Sequence, residues 1–286
     1  MTACLEHSCT LEVPGWTIPA ALTLPAQGPL ASAILLVPGS LFSDVNGDYP
    51  AWNSFPHTNA HLARQLAALG HAVYRYAKLG PGTGSVERTA PRPIGRTWEG
   101  RHQIAAAAFE AMRAELAARS LEPARLVGAG HSEGAVVVSG LAKKGLGVDG
   151  VVLLSGPSVG ILRIMREQSS RGVARASVEE TLASMPEEAR QYLRDVDATD
   201  PLRLARELKQ PVLVVQGGND EMVPAHHGER LRDAAGSRAE YLFVPEVTHM
   251  YKVIPPGVTG PAAFGYPGET DARVTAGIDR WIRRLG

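Results

Sequence analysis

Residues 128–134 read Gly-Ala-Gly-His-Ser-Glu-Gly, with an apolar run, Arg125-Leu-Val-Gly, leading in and a helix-compatible run, Ala135-Val-Val-Val-Ser-Gly-Leu-Ala, leading out. Strand, sharp turn and helix in that order hold Ser132 at the tip of a strained turn, the arrangement called a nucleophile elbow. Strand and helix approach so closely there that a Cβ two residues to either side of the serine would clash, and Gly130 and Gly134 remove both clashes. A bare G-x-S-x-G arises by chance in a chain with 30 glycines. Its position at a strand-to-helix junction gives it weight, and an α/β architecture is the one that accommodates it.

Runs of β-branched residues predict strands at 9–14, 17–24, 31–37, 72–77, 125–130, 150–155, 211–216 and 240–245, enough for one eight-stranded sheet. The first two flank Pro14-Gly15 closely enough to form an antiparallel hairpin. The others are mostly separated by helical segments, as parallel crossovers require. Helices are predicted at 57–69, 99–119, 133–144, 226–235 and 271–285. In the second, Ile104, Ala108, Met112 and Leu116 make one apolar stripe, leaving Arg113, Glu115 and Arg119 to face water. Residues 157–209 are too long for a simple crossover and carry helical patterning at 159–170, 177–184 and 186–196. The expected organisation is therefore a core of 1–156 and 210–286 with a helical cap, 157–209, inserted after the sixth strand.

A serine hydroxyl becomes a nucleophile at neutral pH only when a base takes its proton and a third group orients that base. Strand Pro211-Val-Leu-Val-Val-Gln runs into Gly217-Gly218-Asn219-Asp220, and strand Tyr241-Leu-Phe-Val into Pro245-Glu-Val-Thr-His249. Asp220 and His249 thus sit just beyond strand ends, where an open parallel sheet places its site. The predicted triad is Ser132, His249 and Asp220. Glu221 and Glu246 read as surface carboxylates, and His131 as a packing or hydrogen-bonding residue of the elbow and not the base, since a side chain that precedes the nucleophile points away from it. His226 and His227 do not read as a metal pair, because adjacent helical residues diverge by about 100° and no partner acid or cysteine completes a ligand set. No metal and no cofactor are expected. Two backbone N–H groups should receive the oxyanion: that of Glu133, and that of Ser40 in the loop Pro38-Gly39-Ser40-Leu41, with Leu41 as second choice. Leu41 and Phe42, together with Trp52 and Phe55, are the candidate substrate-facing side chains.

Twenty-nine basic and 29 acidic residues balance to a net charge of zero, which argues against a nucleic-acid partner. No stretch approaches the roughly 20 apolar residues of a membrane span, and the first residues lack the pattern of a secretory leader. A cytoplasmic protein is expected, with a small-molecule ester as its partner and nothing that points to a homo-oligomer. Cys4 and Cys9 read as free thiols.

With these motifs in place the chain resembles the α/β-hydrolase superfamily over nearly its full length. Within it, the chain is most similar to bacterial carboxylesterases of the EstD-like group, which carry a helical lid after the sixth strand. The matching segments are Val37-Pro-Gly-Ser-Leu with the acidic run Asp44 to Asp48, Arg75-Tyr-Ala-Lys-Leu-Gly80, Leu153-Leu-Ser-Gly with Glu167-Gln168, and Gln216-Gly-Gly-Asn-Asp220. Pro38 stands where the family has a histidine that braces the oxyanion loop, and Ala77 and Leu79 replace charged residues. The resemblance implies an α/β-hydrolase fold and a serine hydrolase that cleaves a carboxylic ester through an acyl-enzyme on Ser132. The same machinery would serve a thioester, amide or peptide. A non-catalytic ligand-binding member is the alternative from another class.

Overall fold

The structure is a computed structural model describing residues 4–174 and 176–285. Strands β1 (Cys4–Val13) and β2 (Trp16–Pro25) form the expected hairpin, with Cα partners running from Cys4↔Pro25 to Val13↔Trp16. Its turn falls on Gly15, whose φ of 87° favours glycine. The chain continues through β3 (Ser32–Val37), α1 (Thr58–Ala68), β4 (His71–Tyr76), β5 (Val86–Glu87), α2 (Trp98–Ala117), β6 (Leu126–His131), α3 (Glu133–Lys143) and β7 (Gly150–Leu154). Four helices follow: α4 (Ile161–Ser170), α5 (Val178–Ser184), α6 (Glu187–Asp197) and α7 (Pro201–Glu207). The last part comprises β8 (Val212–Gly217), α8 (Ala225–Ala235), β9 (Ala239–Val244), α9 (Gly260–Phe264) and α10 (Ala272–Ile282).

The sheet order is β1-β2-β4-β3-β6-β7-β8-β9, antiparallel through β4 and parallel from β4 to β9. The ninth strand, absent from the sequence reading, is the two-residue β5 paired on β2, too short to carry a periodic signal. From β3 the chain steps to β4 on one side and later returns as β6 on the other. The crevice between the carboxyl ends of β3 and β6 is thus the topological switch point, where open α/β sheets bind ligands.

Apolar side chains pack on both faces of the sheet. The stripe Ile104, Ala108, Met112 and Leu116 of α2 is buried on one face with residues of α3 and α8. Leu62 and Leu66 of α1 and Val274, Ile278 and Trp281 of α10 fill the other. Within 157–209, α4 packs on α5 and α6, and α6 reaches α2, whereas α7 packs on the core helices α3 and α8. Part of the range read as cap therefore lies against the core. The helix α7 begins at Pro201 after Asp200, whose side chain accepts from the Arg203 N–H at 3.0 Å. Cys4 and Cys9 are free thiols. Among the described residues, no helix is long and apolar enough to cross a membrane.

Candidate active site

Ser132 joins β6 to α3 with φ 55° and ψ −122°, a left-handed conformation that costs a non-glycine residue energy. Its N–H donates to the Leu154 carbonyl at 2.8 Å, and its carbonyl accepts from Ala135 N–H at 3.0 Å. A Cβ on Gly130 would lie 2.1 Å from the Gly134 carbonyl oxygen, and one on Gly134 would lie 2.4 Å from that of Val37. The two glycines therefore let strand, helix and the end of β3 close on one point. Glu133 opens α3, so its backbone N–H is one of the donors left free at a helix start.

Asp220 and His249 arrive from the ends of β8 and β9. The crossing of their loops requires Gly217 and Gly218, whose Cβ atoms would meet the carbonyls of Val247 at 2.4 Å and Pro245 at 2.3 Å. His249 Nδ1 lies 2.9 Å from Asp220 Oδ2 and 3.0 Å from Oδ1. Oδ1 also accepts from the N–H groups of Met222 (3.0 Å) and Val223 (2.8 Å), and Oδ2 from Gln216 Nε2 at 3.2 Å. The carboxylate is thereby fixed in rotation, so it can hold one imidazole tautomer and offset a charge that forms on it. His131 packs and hydrogen-bonds beside His249. Its ring lies 4.6 Å from that of His249, and its Nε2 is 3.0 Å from the His249 carbonyl. Burial, with the neighbouring His249 adding to it, drives His131 down to about 3, so it stays neutral and holds the His249 backbone.

Behind the loop that follows β3 lies a buried cluster that the sequence reading did not find. Arg101 Nη2, from α2, donates to the carbonyls of Pro38 (2.7 Å) and Gly39 (3.2 Å). Lys78 Nζ, just past β4, donates to the Ser40 carbonyl. The Glu133 carboxylate lies 3.1 Å from Lys78 and 3.2 Å from Arg101, and accepts from the Tyr192 hydroxyl of α6 at 2.7 Å. Arg101 and Lys78 thus brace the loop that carries Pro38. Burial pushes the Glu133 carboxyl up, but the Lys78 and Arg101 charges and the hydrogen bonds from Tyr192 and Lys78 outweigh it, and the group is held at about 2.

Ser132, His249, Ser40, Leu41 and Phe42 all border one cavity of about 790 Å³ under the cap helices, together with Trp52, but Phe55 is not part of its lining. Met250 and Phe264 line it too, so the Pro/Gly-rich stretch after His249 borders the site through α9. The reason given against a metal at His226 and His227 fails in one respect: Glu167 of α4 supplies a carboxylate, and ligand atoms of the three lie within 4.8 Å of one another. The geometry is that of a fastening between cap and core. His227 Nε2 meets Glu167 Oε2 at 2.8 Å, its Nδ1 meets Ser158 Oγ at 2.8 Å, and Arg163 approaches the other carboxylate oxygen at 3.4 Å. Glu246 pairs with Arg273 on the surface, as expected.

Sheet order, elbow and strand-end pair define an α/β-hydrolase fold. In sequence the chain is 26% identical to Esterase EstD of Thermotoga maritima over 284 residues, 93% of this chain and 65% of that protein's length. The resemblance read from the motifs is borne out by this alignment, and the chain spans just under two thirds of that relative. In structure it is similar to the esterase domain of a Rhodothermus marinus protein (TM-score 0.60, 18% identity, 99% of this chain and 100% of that one). It is also similar to carboxyl esterase 2 of the fungus Tuber melanosporum (TM-score 0.62, 15% identity, 100% and 88%) and to Est1E of Butyrivibrio proteoclasticus (TM-score 0.57, 17% identity, 85% and 90%). No protein-family model matches the chain.

Two stability measurements test this geometry. Gly130→Ala, whose methyl would meet the Gly134 carbonyl, should cost about 3 kcal/mol in denaturant unfolding; a loss below about 1 kcal/mol would contradict the close approach. Glu133→Gln should be destabilised by about 3 kcal/mol at pH 7, because it leaves two buried cations unpaired. The folded Glu133 carboxyl, at about 2, lies below its ordinary value of 4.5, so its stabilisation is present above pH 4.5 and lost as pH falls toward 2. Unfolding curves of wild type and variant should therefore converge across that interval, and a pH-independent gap would contradict the pairing.

Proposed function

We propose that the protein is a cofactor-independent serine hydrolase acting on carboxylic esters. The observation that carries this reading is the Asp220–His249 pair, 2.9 Å apart, whose histidine lines one cavity with the strained Ser132. His249 removes the Ser132 proton as Oγ attacks the acyl carbon. The tetrahedral oxyanion is received by the N–H groups of Glu133 and Ser40, and His249 returns the proton to the leaving alcohol. Water, activated by the same histidine, then hydrolyses the acyl-enzyme. Similarity to proteins named as esterases supports the ester as substrate over other acyl compounds.

The cavity volume falls within the roughly 300–1,000 Å³ usual for small-molecule sites. Its walls include Leu41, Phe42, Ile164, Met165, Leu193 and Phe264. Such a surface suits an uncharged acyl chain of small or medium length, because a charged group set against these side chains would lose hydration without a partner there. The ester is the only partner the reading requires. A reducing compartment such as the cytoplasm suits the two free thiols.

Ser132→Ala should lower kcat on p-nitrophenyl esters by at least about a thousandfold and abolish labelling by a fluorophosphonate; a variant that retained wild-type turnover would overturn the assignment. Across an acyl series from C2 to C12, kcat/KM should pass through a maximum and then fall as the chain outgrows the cavity. A flat profile would count against the apolar pocket.

A further inference from the structure

The buried cluster of Glu133, Lys78 and Arg101 is not explained by stability, since apolar side chains of similar size often replace a buried ion pair without loss. Its geometry offers another reason. Three consecutive carbonyls, those of Pro38, Gly39 and Ser40, each accept a hydrogen bond from one of the two cations. In a trans peptide the C=O and the following N–H point in opposite directions. Anchoring the Gly39 carbonyl on Arg101 therefore turns the Ser40 N–H away from Arg101, and anchoring the Ser40 carbonyl on Lys78 does the same for the Leu41 N–H. Gly39 is packed against the nucleophile, for a Cβ placed on it would lie 3.3 Å from the Ser132 Cβ.

Glu133 links the two halves of this arrangement. Its backbone follows the nucleophile at the start of α3, while its side chain lies 3.1 Å from Lys78 and 3.2 Å from Arg101. The same carboxylate accepts from Tyr192 of cap helix α6 at 2.7 Å. The Tyr192 ring lies 5.4 Å from the Lys78 ammonium and makes an edge contact with Trp98 of α2, at 6.2 Å between centroids. A change in the seating of α6 would thus change the hydrogen bonding of the carboxylate that holds both cations.

We propose that Glu133, Lys78 and Arg101 are positioning residues for the oxyanion hole, and that Tyr192 makes the hole complete only when the cap is seated. The inference rests on the acyl-transfer reading given above. Its test compares wild type, Arg101→Lys and Tyr192→Phe, with every rate normalised to sites titrated by a fluorophosphonate, so that loss of folded protein lowers the site count and not the rate per site. A second readout is inhibition by an alkyl trifluoromethyl ketone, which forms a tetrahedral oxyanion on the serine.

Arg101→Lys should lower kcat per site on the order of tenfold, less than the hundredfold or more expected for deleting a donor outright. Ketone affinity should fall in the same proportion and KM should change little. Tyr192→Phe should show a smaller loss in the same direction. Arg101→Lys with wild-type kcat and ketone affinity would overturn the positioning role, and Tyr192→Phe with wild-type values would overturn the link to the cap. A wild-type protein that neither hydrolyses an ester nor reacts with the fluorophosphonate would instead overturn the acyl-transfer reading beneath it.

Discussion

The contact between Gly130 and Gly134 is the constraint on which the rest of the site depends. With no Cβ on either residue, α3 starts directly above the end of β6, and the Gly134 backbone also lies against the carbonyls of Val37 and Pro38. That second approach draws the end of β3 to the elbow, which is possible only because β3 and β6 are neighbours in the sheet. The split in strand order beside β3 opens the crevice, and the glycines bring its two walls within reach of one serine. Backbone strain at Ser132 persists because hydrogen bonds on either side, to Leu154 and from Ala135, leave the turn no easy alternative.

What could be read from the sequence was what local pattern encodes. Ser132, Asp220 and His249 each follow an apolar strand directly, and strand followed by polar loop is a signal within about ten residues. Asp220 serves the turn and the histidine at once: one oxygen closes the turn onto Met222 and Val223 while both face His249. Arg101 was not legible, since at the start of an amphipathic helix it looks like any solvated charge. Its burial follows from the packing of α2 against the loop after β3, where Arg101 meets the carbonyls of Pro38 and Gly39, a tertiary fact. The pairing of Glu167 with His227 was not legible for the same reason: the two lie 60 residues apart in the chain but 2.8 Å apart in space. Short elements such as β5, α7 and α9 have too few residues to display a period.

The helices of residues 157–209 are fastened to the core on both sides of the cavity. On one side α4 meets the Asp220 loop, through Gln168 to the Met222 carbonyl (3.0 Å), Arg171 to the Glu221 carbonyl (2.8 Å) and Glu167 to His227. On the other, α6 meets the elbow through Tyr192, and Trp98 reaches Thr199 just beyond α6 at 3.0 Å. Between these polar attachments lies an apolar cavity. Polar contacts exchange with water at modest net cost, whereas an apolar wall does not. The helices above the cavity are thus joined to the core by polar contacts and face the cavity with apolar side chains such as Ile164, Met165 and Leu193.

Charge within the buried cluster carries the argument one step further. Glu133 contributes one negative charge and Lys78 and Arg101 two positive ones, so the trio has a net charge of plus one behind the oxyanion loop. The Tyr192 hydroxyl, its pKa raised well above 10 by burial and by Glu133, stays neutral and supplies only a dipole. A lone cation there would be costly to bury, and a neutral pair would give no field along the loop. Two cations sharing one carboxylate allow each ion a partner while leaving a residual positive potential beside the carbonyls of residues 38–40. Under the acyl-transfer reading proposed above, a tetrahedral intermediate on Ser132 carries a negative charge that the ester before it lacks, so a positive potential there would favour the intermediate.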